Sequence, residues 1–455
     1  MDLQIRNQHL STTEIKFKNF FFLLLLIFQS FFLTISLYYN LLYSLPAFLV
    51  LLFLLFLILG KNRLKIFLIF TIFFASLLTK PTSRRWVLLR LEEIPFFLLL
   101  FLTFLAFERK ERYNLKTNTD YLLLSFLLLT GFSFFYGIFL GNSLYQAIDD
   151  FLLIFFYAFY FLVLIYFQEE KWQRILVISI IVISVLVSLQ YVVPFLVTLQ
   201  IKRYATDQQH LFNIGYPLLV SYIIFGEKAK NKILAGLSLI PMSLAVIISL
   251  TRALWITIPF SVFIILIIYF WQQRKLKQIF YIFSVFLGIF FIIYFLFTKK
   301  LDFKKFIKIR QEAFVSLRTD LSLLERIWGI REVMQQFKKN PIFGVGLGSI
   351  YSGVLPWKKR LKIPWVDCLF INLLWKFGII GFVIFLAIYY YFFKNIIKVF
   401  KNPKNNFQKW VSSGMLSVFI SLILLSIESS FLLIYRFNLI LASLLAIFNL
   451  WAQEK

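Results

Sequence analysis

Cysteine occurs once in this chain, at Cys368, and histidine twice, at His9 and His210. A single cysteine excludes an internal disulfide. Three such residues, scattered, exclude a structural zinc site, which takes about four clustered ligands. Patterns that attach heme or an iron–sulfur cluster are missing too. Charge is scarce: Asp, Glu, Lys and Arg make up 15% of 455 residues, where soluble domains carry about 25%. Acidic side chains are the scarcer kind, 21 against 48 basic ones. With 61% hydrophobic residues and a mean hydropathy of +0.84, the chain has too little polar surface to cover a soluble core, because soluble monomers expose apolar patches of only a few hundred Å². A soluble enzyme, a secreted disulfide scaffold and a disordered chain are all excluded. The 60 Phe residues need no site to explain them, since lipid accepts any large apolar side chain.

Long apolar runs stand in place of what is missing. A spanning helix takes about 20 mostly apolar residues. The runs predict helices over 19–38, 41–59, 64–79, 91–107, 121–140, 150–167, 175–197, 211–226, 232–250, 253–271, 278–297, 369–393, 411–433 and 435–451. The count is 12 to 14, because 64–79 and 211–226 are short and only Thr251 and Arg252 interrupt 232–271. The first run follows Arg6, Lys16 and Lys18 without a small-residue cleavage site, and reads as a retained anchor. Lys and Arg in short loops orient such proteins. With both termini inside, the inner segments hold 24 basic residues and the short outer loops 8. The formal charge of +27 therefore needs no nucleic-acid partner, and no basic soluble domain exists to bind one.

One segment departs from this pattern. Residues 298–368 form a hydrophilic stretch with 15 basic and 6 acidic side chains, placed outside by the same topology. Leu317, Leu321, Leu324 and Trp328, then Ile327, Ile330, Met334 and Phe337, recur at helical spacing, and Asn340-Pro341 stops the helix. The stretch is expected to hold amphipathic helices lying on the outer membrane surface. The organisation read from the sequence is all-α and polytopic: N-terminal spans in 1–200, spans carrying two outer Arg turns in 201–297, the long loop 298–368, and C-terminal spans in 369–455.

Four constellations could carry chemistry. Arg203, with Tyr204 and His210, stands in an outer loop. Arg252, in Ser249-Leu250-Thr251-Arg252-Ala253, lies between two apolar helices, where an Arg is costly unless it snorkels to a helix end or faces protein, water or phosphate. Arg never loses its charge and presents a planar fork of donors, which suits diphosphate oxygens. The run Leu323 to Arg331 includes Arg326 and leads to Asn340-Pro341-Ile342-Phe343-Gly344-Val345-Gly346-Leu347-Gly348. These glycines do not make a nucleotide loop, since no strand precedes them and no Gly-Lys-Ser/Thr follows. A tight turn needing positive φ fits them better. Asp367-Cys368 comes last, nine residues before Gly378-Ile379-Ile380-Gly381. A carboxylate there either takes a proton from a sugar hydroxyl or caps a helix, and the two glycines allow close helix packing. Lys376 and Glu428, inside spans, read as a helix-packing ion pair, with Arg436 as a second partner for Glu428.

In order and spacing, Arg203 to Gly381 resembles the O-antigen ligase and O-antigen polymerase (Wzy-type) family, which has an Arg-bearing outer loop, a Ser-Arg-like turn, a periplasmic Asn-Pro-x-x-Gly-x-Gly-x-Gly run, and a His-Asn followed by nine residues and Gly-x-x-Gly. Asp367-Cys368 stands where the family's ligases carry that His and the residue after it. The first 200 residues resemble it only as generic membrane helices. The resemblance implies metal-independent, inverting transfer of a glycan from undecaprenyl diphosphate to an acceptor hydroxyl at the periplasmic face of a bacterial inner membrane, without a cofactor. It implies diphosphate binding by Arg203 and Arg252, with Arg318, Arg326 or Arg331 adding to it, and a proton-accepting or orienting Asp367. Pro341, Gly344, Gly346, Gly348, Gly378 and Gly381 form its structural motif. The implied partners are the lipid-linked donor, a glycan or lipid A core acceptor, membrane lipid, and a chain-length regulator or flippase. Ligase and polymerase are not separated by these residues. The alternative reading is a flippase or transporter of lipid-linked sugars, a class that places ionisable residues near the bilayer midplane.

Overall fold

The computed structural model describes residues 63–77, 115–198, 207–249, 251–273, 321–353, 361–430 and 434–454. The chain falls into two compact units, Met1–Phe67 and Leu68–Lys455. Of the first, the structure describes only the opening residues of α1 (Arg63–Leu77). The second holds the helical bundle. Its elements are α2 (Asn118–Phe139), α3 (Leu144–Phe155) continuing through a 3-10 turn into α4 (Phe159–Tyr166), α5 (Glu170–Thr198), a 3-10 turn at Asp207–Leu211, α6 (Phe212–Phe225), α7 (Ala229–Ser249), α8 (Arg252–Gln273), α9 (Leu321–Lys339), α10 (Leu369–Lys401), α11 (Asn406–Glu428) and α12 (Tyr435–Gln453). One antiparallel hairpin, β1 (Tyr351–Gly353) with β2 (Leu361–Ile363), pairs Tyr351 with Ile363. It is a small addition to an all-α membrane protein.

Eight of these helices are long and apolar enough to span a bilayer: α2, the α3–α4 rod, α5, α7, α8, α10, α11 and α12. Ten of the fourteen predicted runs fall on described residues, and all ten are helical. The runs 19–38, 41–59, 91–107 and 278–297 lie outside the described residues. The short run 211–226 became α6, whose 14 residues extend about 21 Å, less than a hydrocarbon core of about 30 Å. It survives by being covered on nearly every side, as a helix apolar all round must be.

Small and polar residues bring the neighbours of α6 close, as in other membrane bundles. Gly215 leaves room for Ser184 of α5 and Met242 of α7, and Gly414 of α11 lies against Leu218 and Ser221. Ser221 Oγ donates to the Trp410 carbonyl at 2.6 Å, Thr257 Oγ1 to Asn213 Oδ1 at 2.7 Å, and Ser417 Oγ to the Ser261 carbonyl at 2.6 Å. On the other flank α2 packs on α10 through Phe126, whose ring meets Phe377 and Phe385 at 5.6 Å each. The opposite face of α2 exposes Leu128, Phe132, Phe135 and Phe139, a stripe suited to lipid.

The two ends of the bundle differ. At one, here the far end, Thr117 caps α2 in a box with Asp120, α12 finishes, and Asn405 caps α11 through Gln408 N–H. The other, the motif end, carries the α2–α3 turn, the starts of α8, α10 and α12, and the segment from α9 to β2.

Candidate active site at the motif end

Residues 340–348 are wedged between the α2–α3 turn and a break in α10. Gly344, Gly346 and Gly348 have φ of 72°, 77° and 77°, a region closed to side chains by contact between Cβ and backbone. Each glycine also touches another backbone. A Cβ on Gly344 would stand 2.6 Å from the Gly378 nitrogen, one on Gly346 2.4 Å from the Gly137 Cα, and one on Gly348 2.6 Å from the Ser143 carbonyl oxygen. Gly378 itself has φ 67° and ψ −166° inside α10, and this interrupts the helical ladder.

The groups orphaned by that interruption are satisfied from the run. Ile379 N–H donates to the Pro341 carbonyl at 2.9 Å and Ile380 N–H to the Ile342 carbonyl at 3.3 Å, while the Trp375 carbonyl accepts Val345 N–H at 2.8 Å. The Lys376 carbonyl accepts Ser133 Oγ at 3.0 Å. From the α2–α3 turn, Asn142 Nδ2 donates to the carbonyls of Val345 at 2.8 Å and Leu347 at 3.0 Å. Buried backbone groups must find partners in a bilayer, and the glycine run and the α10 break supply them to each other. Gly381, one turn on, faces Leu129 of α2.

The run ties together two elements that present charge. α9 presents Arg326 and the start of α10 presents Asp367, and Arg326 Nε donates to Asp367 Oδ2 at 3.0 Å. Both side chains are substantially exposed, 36% and 46%, so the pair contributes little stability and its groups are open to a ligand. The backbone around Asp367 is held firmly. Asn372 Oδ1 accepts Val366 N–H at 3.0 Å, and its Nδ2 donates to the Cys368 carbonyl at 3.0 Å and to Ser430 Oγ. The capping alternative for Asp367 is overturned: α10 starts at Leu369 with Cys368 as its cap residue, and the Asp367 carboxylate turns to Arg326 instead.

Below the pair, Val333, Tyr351, Val366 and Trp375 form a buried apolar cluster, and Trp375 Nε1 donates to Gln336 Oε1 at 2.9 Å. Gly329 leaves room for the Tyr351 hydroxyl, 2.7 Å from where a Cβ would stand. Burial and the nearby carboxylates of Asp367, Glu325 and Glu332 push the Tyr351 phenol up to about 12, so it stays a neutral donor. Arg331 points along α9, its guanidinium 5.9 Å from the Trp328 ring.

The other sequence candidates are placed as follows. Arg252 is the first residue of α8. The preceding Thr251 donates through Oγ1 to Gln209 Oε1 at 2.7 Å, which sets the Arg252 turn against the 3-10 turn holding His210. Arg203 and Arg318 lie outside the described residues. Lys376 has a partner other than the one expected. Its ammonium bonds to Asp150 of α3, and both side chains are almost fully buried; the Glu428 side chain lies outside the described residues. Sequence reasoning passed over Asp150, although an Asp at the head of an apolar run is a signal in its own right. It also passed over Tyr351, Ser133 and Asn142, whose roles depend on long-range contacts. Among the described residues no three of His, Cys, Asp and Glu gather as a metal site.

Comparison with known families bears on this segment directly. Residues 237–386 match the model of the O-antigen ligase family. The matched segment runs from within α7, through the Arg252 turn, α9 and the glycine run, to the middle of α10, and so includes Arg326, Asp367 and the Gly378 break. Arg203, Asp150 and α2 lie before it. No curated protein matches the chain.

Proposed function

We propose that this protein transfers a glycan from undecaprenyl diphosphate to an acceptor sugar hydroxyl at the periplasmic face of a bacterial inner membrane, as a ligase or polymerase of surface polysaccharide with both termini inside. The observation that carries the reading is the exposed Arg326–Asp367 pair, held at 3.0 Å inside the segment that matches the ligase family.

The chemistry divides among these residues. Asp367 accepts the proton of the acceptor hydroxyl, whose oxygen attacks the anomeric carbon from the face opposite the diphosphate. The bond from that carbon to the diphosphate oxygen breaks, and its electron pair leaves with the lipid diphosphate. Attack from the opposite face inverts the centre, and no metal takes part. Arg326 orients the carboxylate. Arg252 and Arg203 bind the diphosphate and stabilise the growing negative charge, with Arg318 and Arg331 nearby in sequence to add to it. The lipid tail lies against the apolar helices, and the basic 298–368 segment gathers anionic donor.

The test uses purified protein in detergent with lipid-linked oligosaccharide and acceptor. Product without a sealed membrane supports the reading. Absence of product, together with movement of the lipid-linked sugar across vesicles, would replace it with a flippase.

A further inference from the structure

We propose that Asp150 and Lys376 are positioning residues for the transfer reaction, a buried charge latch that fixes the glycine run and, through it, the spacing of Arg326 and Asp367. The proposal rests on reading the motif end as the transfer site.

Asp150 Oδ2 receives two donors from different parts of the chain: the Lys376 ammonium of α10 and the Gly348 N–H at the end of the run, the latter at 2.9 Å. Its other oxygen accepts Gln146 Nε2 at 3.3 Å. One carboxylate thus joins α3, the run and α10, and Lys376 stands two residues before the Gly378 break.

The run's other ties to the bundle are hydrogen bonds between neutral groups. A buried ion pair is a poor means of stabilising a fold, since well-packed apolar residues of the same volume do as well or better. It does fix one geometry, because each partner is costly to leave uncompensated. The geometry fixed here has a clear readout. Arg326 enters the site from α9, which feeds into the run at Asn340, and Asp367 enters from the start of α10, the helix that receives the run at Gly378. A shift of the run against α10 moves one against the other, and displacement by about 1 Å suffices to cost a reaction about 100-fold.

The test replaces the latch as a pair. Asp150→Asn with Lys376→Gln removes both charges and leaves an acceptor for Gly348 N–H and a donor for residue 150. Lys376→Met alone strands the carboxylate and is expected to lower yield and thermal midpoint, and the double variant to restore both. The proposal expects the double variant to keep the wild-type KM for donor while kcat falls 10- to 100-fold. Wild-type kcat in a stably folded double variant overturns it, as does a change confined to KM. A second arm needs no substrate. Spin labels on Gln335→Cys of α9 and Trp365→Cys before α10, in a Cys368→Ser background, report the spacing of the two elements. The proposal expects a single narrow distance that broadens or shifts in the double variant; an unchanged distribution overturns it. If the protein proves not to transfer glycan, the kinetic arm is silent in the wild type while the distance arm still reads, so the two failures are told apart.

Discussion

Among the described residues two carboxylates are fully buried, Asp120 and Asp150, and they sit towards opposite ends of the bundle. Asp120 belongs to a node at the far end. Its carboxylate accepts the N–H groups of Lys116 and Thr117 at 3.0 and 2.9 Å, the Tyr160 hydroxyl at 2.5 Å and Asn449 Nδ2 at 2.9 Å. The node closes a helix start and staples α2 to α4 and α12. Asp150 gathers an ammonium, a loop N–H and a side-chain amide from three parts of the chain. The far-end node is built around a helix cap and gathers backbone N–H groups, a hydroxyl and an amide. At the motif end, where the chain must hold an exposed Arg and Asp on separate elements, a charge pair sets the joint between them.

Substitutions should separate the two ends. The largest effect is expected from Lys376→Met, which leaves Asp150 buried without its cation; loss of one partner of such a pair costs about 3–5 kcal/mol, read as a lowered thermal midpoint in detergent. Gly378→Ala comes next. Its positive φ, and a Cβ that would lie 2.1 Å from the Ile342 carbonyl oxygen, predict a loss of about 1–3 kcal/mol from backbone strain. By contrast Gly236→Ala, in open space within α7, should gain about 0.5–1 kcal/mol from helix propensity. Asp120→Asn turns one carboxylate oxygen at the far end into an NH2 that faces two donors and is expected to cost about 1–3 kcal/mol with no change in transfer rate. A loss as large as that of Lys376→Met would erase the distinction between the nodes.

Much of the bundle was legible in the sequence because a bilayer demands long apolar helices, and every predicted run on described residues is helical. The Asn340–Gly348 and Gly378–Gly381 spacing was legible as a motif, but its physical content was not. That Gly344 lies on Gly378, and Gly346 on Gly137, depends on backbone approaches between segments far apart in the chain. The same limit hid the partner of Lys376. Asp150 reaches it from a helix more than 200 residues earlier, a distance that no local pattern spans. Asp367 was visible as a carboxylate at a helix start, and only the position of α9 shows that its side chain turns to Arg326 and leaves Cys368 at the cap.

A further expected effect concerns pH. Tyr351 is held up to about 12, from an ordinary 10, by burial and by Asp367, Glu325 and Glu332. The folded chain therefore holds this proton more tightly than the unfolded chain. Its contribution to stability is whole below pH 10 and fades as pH climbs toward 12. Wild type should lose thermal stability over that interval more steeply than Tyr351→Phe, and equal slopes would show that the phenol does not titrate in the loop as described.

The central claim is that Asp367 takes the acceptor's proton. Its most direct test is the turnover of Asp367→Asn, purified in detergent, with lipid-diphosphate-linked glycan and acceptor. The pair it breaks is exposed, so the thermal midpoint should stay within a degree or two of wild type while kcat falls by about 10²–10⁴-fold. A folded Asp367→Asn variant that turns over at the wild-type rate would contradict the account.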